Sequence, residues 1–173
     1  MGTKTTTTGV SSAETITGNS EANAIDGAGG DDILSGKGEV DTINGGTGND
    51  TISGDEGNDI LSGGAGDDTI NGGAGADVIV ANEGNDTLNG DAGDDTLTAN
   101  SGDNVLLGGA GSDIINAGTG RDVITGGVGN DTINLLTTSG NGTDTIVDSG
   151  LTDVLVLRQK QEHSSQPPCP SGT

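Results

Sequence analysis

Two stretches of the chain, residues 45–53 (GGTGNDTIS) and residues 63–71 (GGAGDDTIN), share a nine-residue pattern that decides the fold. Working outward from them, fourteen such nonads run from Gly9 to Asn134 without an insertion or a deletion. We number the places in each nonad from one to nine. A strict period of this kind predicts a repeat architecture, in which each unit contacts its neighbours.

Two places in the nonad carry nearly constant side chains. The eighth place is Ile or Leu in all fourteen nonads: Ile16, Ile25, Leu34, Ile43, Ile52, Leu61, Ile70, Ile79, Leu88, Leu97, Leu106, Ile115, Ile124 and Ile133. The sixth place is Asp in eleven, the exceptions being Glu14, Asn23 and Asn104. In an extended strand, places six and eight share one face, so we expect Asp and Ile/Leu to point inward and places seven and nine outward.

The composition excludes a conventional core. Of 173 residues, 35 are glycine, none is aromatic and 28% are hydrophobic. Glycine permits turns, whereas Thr, Ile and Val favour extension, so each nonad predicts a six-residue turn followed by a three-residue strand. Two nonads per coil would stack the Ile/Leu side chains between two parallel sheets, as an all-β parallel β-roll solenoid. Without a ligand, so acidic and glycine-rich a chain is expected to be disordered.

The net charge of the chain indicates which kinds of partner it can bind. A formal net charge of −22 repels nucleic acid and anionic membranes and favours cations. Ca²⁺ binds six to eight oxygens, and glycine turns can place backbone carbonyls beside a carboxylate. Cys169 is the only cysteine, so the chain forms neither an internal disulfide nor a thiolate zinc cluster.

The repeated G-G-x-G-x-D-x-U-x pattern over residues 9–156 resembles the repeat-in-toxin (RTX, hemolysin-type) family of calcium-binding nonapeptide repeats. The resemblance implies a calcium-bound parallel β-roll. It also implies that each ion is held by the second- and fourth-place carbonyls and the Asp of one turn. The turn two nonads later would add its first- and third-place carbonyls and its Asp.

The family's ligand pattern, carried over residue by residue, implies up to about ten Ca²⁺ ions along two edges of the roll. The implied metal ligands are Gly30, Asp32, Asp41, Gly45, Gly46, Thr47, Gly48, Asp50, Gly57, Asp59, Gly63, Gly64, Ala65, Gly66, Asp68, Gly73, Gly75, Asp77, Gly84, Asp86, Gly90, Ala92, Gly93, Asp95, Gly108, Gly109, Ala110, Gly111, Asp113, Gly118, Gly120, Asp122, Gly126, Val128 and Asp131.

One edge is expected to bind calcium less well. Ala81, Ala99 and Ala117 replace first-place glycines there, and alanine would resist a positive φ. Asn104 removes one formal charge from the sites on both of its sides. The sequence therefore predicts that the sites flanking Asn104 fill last.

No enzyme is predicted. His163 and Cys169 each lie alone in a proline-containing tail, and neighbouring acids such as Asp67 and Asp68 would be held ionised by calcium. The resemblance implies a secreted, extracellular protein that folds on binding Ca²⁺, with type I secretion and a linked effector domain. The tail departs from the family's C-terminal export signal.

Two alternatives stay open. The outward Thr51, Thr69 and Thr87 recur in every second nonad, so an ice-binding or adhesive solenoid would use this row, and the chain could instead be a fragment of a larger secreted toxin or hydrolase. For domain organisation, we expect a disordered N-terminus (1–8), the RTX roll (9–156) and a disordered tail (157–173).

Overall fold

The computed structural model describes residues 5–137, 142–147 and 153–159. The tail from residue 160, which includes His163 and Cys169, lies outside the described residues, so the expectations for those two side chains concern a part of the chain without a structural description.

Within the described residues, seventeen strands form two parallel sheets. Sheet I contains the nine odd-numbered strands in chain order: β1 (Thr5–Thr8), β3 (Asn23–Asp26), β5 (Thr42–Thr47), β7 (Ile60–Ala65), β9 (Val78–Glu83), β11 (Thr96–Ser101), β13 (Ile114–Gly118), β15 (Thr132–Thr137) and β17 (Val154–Gln159). Sheet II contains the eight even-numbered strands: β2 (Thr15–Thr17), β4 (Ile33–Lys37), β6 (Thr51–Glu56), β8 (Thr69–Ala74), β10 (Thr87–Ala92), β12 (Val105–Ala110), β14 (Val123–Val128) and β16 (Thr145–Ile146).

Each strand pairs with the strand two positions along the chain. Thr51 of β6 lies beside Thr69 of β8, and Thr69 lies beside Thr87 of β10, an offset of two nonads each time. The chain therefore passes once through each sheet per coil. This confirms the all-β parallel β-roll with two nonads in each coil.

The strands are longer than the three residues that the sequence predicts. In β6, Ser53 pairs with Asn71, and beyond the first-place glycine Asp55 pairs with Gly73 and Glu56 with Ala74. Most strands thus cover places seven to nine and the first three places of the next nonad. The pairing continues because the nonads have equal length, which keeps the backbone groups of successive coils opposite one another.

The interior of the roll contains two kinds of side chain. The eighth-place Ile and Leu residues from Ile25 to Ile133 are at most 4% exposed, and first-place Ala81, Ala99 and Ala117 join them in the core. The sixth-place Asp side chains are equally buried, at 0–2% exposure. Seventh-place residues such as Ile60, at 51%, face solvent. The predicted inward and outward faces are confirmed.

Both ends of the roll differ from the expected boundaries. Residues 5–8, placed by the sequence prediction in a disordered N-terminus, form β1 and pair with β3. Threonine favours extended backbone, and the edge of β3 offers unpaired groups to such a strand. At the other end, Thr132 pairs with Val154, so the offset there exceeds two nonads by the length of the four-residue interruption after Asn134. Strand β17 continues to Gln159, beyond the expected boundary at 156.

Candidate metal-binding turns

The turns line two edges of the roll. The first edge has turns starting at residues 27, 45, 63, 81, 99 and 117, preceded by one at residue 9. The second edge has turns starting at residues 36, 54, 72, 90, 108 and 126, preceded by one at residue 18. We call the space between a turn and the turn one coil later on the same edge an inter-turn site. Each site is named by its two starting residues, as in site 45/63.

One carboxylate oxygen of each sixth-place Asp links successive turns. Asp68 Oδ1 accepts a hydrogen bond of 2.8 Å from the backbone N–H of Asp50, one coil earlier. Asp95 Oδ1 accepts a bond of 2.7 Å from the N–H of Asp77 on the other edge. The same bond recurs along both edges, and it satisfies a buried backbone donor in every coil.

The second oxygen of each sixth-place Asp is buried and has no hydrogen-bond partner. This holds for Oδ2 of Asp32, Asp41, Asp50, Asp59, Asp68, Asp77, Asp86, Asp95, Asp113, Asp122 and Asp131. Burying an anionic oxygen without a donor or a counter-charge is costly, and native proteins rarely do it. A repeated row of such atoms therefore fits a bound cation.

The orphaned oxygen lies beside a carbonyl of the following turn. A Cβ added at Gly45 would overlap Asp50 Oδ2 and would lie 2.6 Å from the Gly63 carbonyl oxygen. A Cβ added at Gly54, Gly72 or Gly90 would likewise meet Oδ2 of the sixth-place Asp in its own turn and the first-place carbonyl of the following turn. First-place glycine thus leaves room at the point where a carboxylate and a first-place carbonyl converge, as the resemblance implied.

Burial raises the pKa of several sixth-place carboxyl groups. It raises the pKa of Asp59 to about 6 and the pKa values of Asp68 and Asp95 to about 7, with neighbouring carboxylates contributing further increases. The backbone N–H bond to each group works in the opposite direction and is weaker. A nearby positive charge would therefore stabilise the ionised form of each of these carboxyl groups.

Most of the predicted oxygens belong to the backbone. Within the described residues, no three carboxyl, imidazole or thiol groups converge as a metal cluster would require. Each inter-turn site instead combines two sixth-place side chains with carbonyls. The third-place carbonyls already accept a bond, for example from Gly48 N to Ala65 O at 2.8 Å. That leaves one lone pair of each such oxygen for a metal.

The explanation offered for the weaker edge is wrong. Positive φ occurs at the second and fourth places, as in Gly46 at 110° and Gly48 at 122°, and not at first-place Ala81, Ala99 or Ala117. A first-place methyl group instead points at the position of Oδ2 in its own turn, as the added Cβ at Gly45 does. Alanine would therefore affect the site by occupying space near the carboxylate.

A second ladder of side chains runs along the outside of the first edge. Asp31 Oδ1 accepts from Asn49 N–H at 2.8 Å, Asn49 Oδ1 from Asp67 N–H at 2.8 Å, and Asp67 Oδ1 from Asn85 N–H at 2.7 Å. This ladder through Asp67 was not predicted from the sequence. The recurrence of Asn and Asp at the fifth place was the available signal, because both side chains readily accept bonds from nearby backbone.

The outward threonines lie in one row of sheet II. Thr51, Thr69 and Thr87 are in register, and Ile33 and Val105 continue the row at its two ends. The three-threonine row is therefore flanked by exposed aliphatic residues on both sides.

By fold and site, the chain is a parallel solenoid whose edges carry repeated turns with buried, unpartnered carboxylate oxygens. The family model of the RTX calcium-binding nonapeptide repeat (4 copies) matches residues 8–43, 35–70, 62–97, 71–106 and 98–133. The chain belongs to this family. No curated protein matches it. Among the described residues, no helix has the length and hydropathy to cross a membrane.

Proposed function

We propose that the chain is a calcium-dependent folding module of an exported protein. It stays unfolded where calcium is scarce and forms the roll where calcium is abundant. The observation that carries the proposal is the row of buried Oδ2 atoms without donors. Family membership independently supports a calcium-binding repeat module.

The proposed ligands of one ion come from two turns. In site 45/63 they are the carbonyls of Gly46 and Gly48 with Asp50, and the carbonyls of Gly63 and Ala65 with Asp68. Each interior Asp then serves two successive sites, through Oδ2 in its own site and Oδ1 in the preceding one. The two edges together offer about ten such sites in this arrangement.

The cation supplies the positive charge that the buried carboxylates lack. The net charge of −22 and the raised pKa values of Asp68 and Asp95 both oppose folding of the fully ionised, metal-free chain. A site with a dissociation constant near 1 mM contributes about 1.4 kcal/mol at 10 mM Ca²⁺, so several sites together outweigh a marginal fold.

Calcium-dependent folding is useful to a protein that is exported from the cell. A chain that remains unfolded before export and folds afterwards acquires its stability only outside the cell. We propose a secreted location, type I secretion as the route, and an effector such as a toxin or hydrolase linked to the roll. These three proposals rest on family membership and on the calcium dependence argued above.

The test is a calcium titration followed by circular dichroism. We expect a disordered spectrum in excess chelator and a cooperative gain of β signal at millimolar Ca²⁺. Mg²⁺ is the control, and it should fail because it demands compact octahedral geometry and dehydrates reluctantly. An equal β signal in chelator and in calcium would refute calcium-dependent folding.

A further inference from the structure

The side-chain amide of Asn23 lies among oxygen atoms of two successive turns. Asn23 is 1% exposed, and the turn that it closes starts at Gly18. Its Nδ2 lies within hydrogen-bonding distance of Asn19 O (3.2 Å), Glu21 O, Gly36 O (3.3 Å) and Asp41 Oδ1 (3.0 Å). One amide nitrogen thus lies at the meeting point of four oxygens.

These four oxygens occupy the places of proposed calcium ligands. Asn19 and Glu21 are the second and fourth places of one turn, and Gly36 and Asp41 are the first and sixth places of the turn one coil later. They account for four of the six oxygens that we propose around one ion. The amide nitrogen therefore lies where the ligand set of an ion would converge.

Asn104 has two of the same four contacts on the other edge, at the fourth-place carbonyl and the following sixth-place Asp. Its Oδ1 accepts a bond of 2.8 Å from the buried N–H of Asp86, which determines the orientation of the amide. Its Nδ2 then donates to Gly102 O at 2.9 Å and to Asp122 Oδ1 at 3.0 Å. Gly102 is the fourth place of its own turn, and Asp122 is the sixth place of the next turn.

The contrast with the aspartate turns is chemical. Where the sixth place is Asp, the corresponding atom is Oδ2, an anionic acceptor without a donor. Where it is Asn, the atom is an NH₂ group that donates to the surrounding oxygens. An acceptor facing carbonyl oxygens needs a cation between them, whereas a donor satisfies them directly and occupies the same space.

We infer that Asn23 and Asn104 close sites 18/36 and 99/117 with their own side-chain amides, so that these two sites bind no cation. The inference rests on the proposed calcium binding elsewhere in the roll. It also separates the two sites beside Asn104. Site 81/99 receives Asn104 Oδ1, as other sites receive an Asp Oδ1, and only site 99/117 receives the amide nitrogen.

The experiment counts calcium ions bound per chain at saturation, by native mass spectrometry of the full chain. Asn23→Asp replaces the central donor by an acceptor, so we expect one ion more than in the parent. Asn104→Asp is combined with Ala99→Gly, because a first-place methyl group points at the new carboxylate oxygen; this double variant should also gain one ion, and Ala99→Gly alone none.

Asn58→Asp is the matched control. Asn58 is an exposed fifth-place residue whose Oδ1 accepts from Ala76 N–H, a role that Asp can also fill, so the same charge change should leave the ion count unaltered. If the parent binds calcium and neither Asn23→Asp nor the double variant gains an ion, the inference is wrong while the proposed function stands. If no chain binds calcium, both are wrong.

Discussion

At the residue scale, the two oxygens of a sixth-place carboxylate have separate roles. In Asp68, Oδ1 satisfies the buried N–H of Asp50, and Oδ2 is left for a cation. The side chain of the adjacent Asp67 is exposed and accepts from Asn85 on the outside of the next turn. Neighbouring residues of the same type therefore differ in what they contribute to the roll.

The first prediction compares Asp68→Ala with Asp67→Ala. Asp68→Ala leaves the buried N–H of Asp50 without an acceptor, at a cost of about 1–3 kcal/mol. It also removes a proposed ligand from sites 45/63 and 63/81. Asp67→Ala loses only exposed bonds from Asn85 and should cost less than about 1 kcal/mol. The calcium midpoint of folding should therefore rise more for Asp68→Ala. Equal midpoints for the two variants would contradict the assignment of the sixth place to the interior.

The second prediction concerns Asp68→Asn. The amide oxygen can still accept from Asp50 N–H, and the amide nitrogen should close site 63/81 as Asn23 closes site 18/36. We expect a folded protein with one calcium ion fewer than the parent. Mass spectrometry counts the ions, and circular dichroism in saturating Ca²⁺ reports the fold. An unchanged ion count would show that an amide does not exclude the metal.

At the scale of the turn, glycine predominates at the fourth place for a steric reason, with Ser12, Glu21 and Glu39 as the exceptions. Gly75 has φ +134°, and a Cβ there would overlap the Gly57 carbonyl oxygen of the preceding turn. Third-place Gly38 differs, because an added Cβ would meet nothing nearer than 3.8 Å and its φ is not positive. The two glycines provide a matched pair for testing the turn.

The third prediction is that Gly75→Ala destabilises the calcium-bound roll by about 1–3 kcal/mol from backbone strain alone, with the overlap adding more. Gly38→Ala should change stability by less than about 0.5 kcal/mol. Thermal unfolding in saturating calcium measures both. A loss at Gly38 as large as that at Gly75 would mean that the turn tolerates no Cβ at either place.

The fourth prediction separates the outward face of sheet II from the turns. Thr51, Thr69 and Thr87 lie in a row on the strands, away from the sixth-place carboxylates. Replacing all three by Val keeps their shape and should leave the calcium midpoint unchanged. We expect no thermal hysteresis from the parent. Hysteresis in the parent that disappears in the variant would instead support ice binding.

At the scale of the whole molecule, the buried carboxylates link folding to pH. Burial raises the pKa of Asp68 and Asp95 from 3.8 to about 7 and that of Asp59 to about 6. For a group whose pKa rises on folding, the stabilisation is present below the unfolded value and is lost as the pH rises through the folded value. The metal-free roll should therefore lose stability between about pH 4 and pH 7.

The fifth prediction concerns this loss of stability of the metal-free roll as the pH rises. In excess chelator, circular dichroism should show more β structure at pH 5 than at pH 8. Sodium chloride at 1 M and pH 8 is the control, since salt screens exposed charges but not buried ones. A β signal restored by salt alone would attribute the pH effect to surface repulsion. No difference between pH 5 and pH 8 would contradict the role of the buried groups.

The sequence by itself determined the repeat, the parallel roll and the two inward places. Nonads of constant length leave one register in which Ile52 meets Ile70 and Asp50 meets Asp68, and strand alternation then directs both side chains to the same face. The glycine positions and the acidic charge likewise sufficed to predict a calcium-binding edge. Each of these conclusions depends on spacing along one chain.

Only the tertiary structure decided what each atom meets across the coils. The length of the strands, the pairing of β1 and the outer ladder through Asp67 all depend on groups in the neighbouring coil. The role of Asn104 depends on them most directly. The sequence alone does not determine which way the Asn104 amide faces. In the structure its oxygen accepts from the N–H of Asp86 in the preceding turn, so its nitrogen faces Asp122 in the next turn.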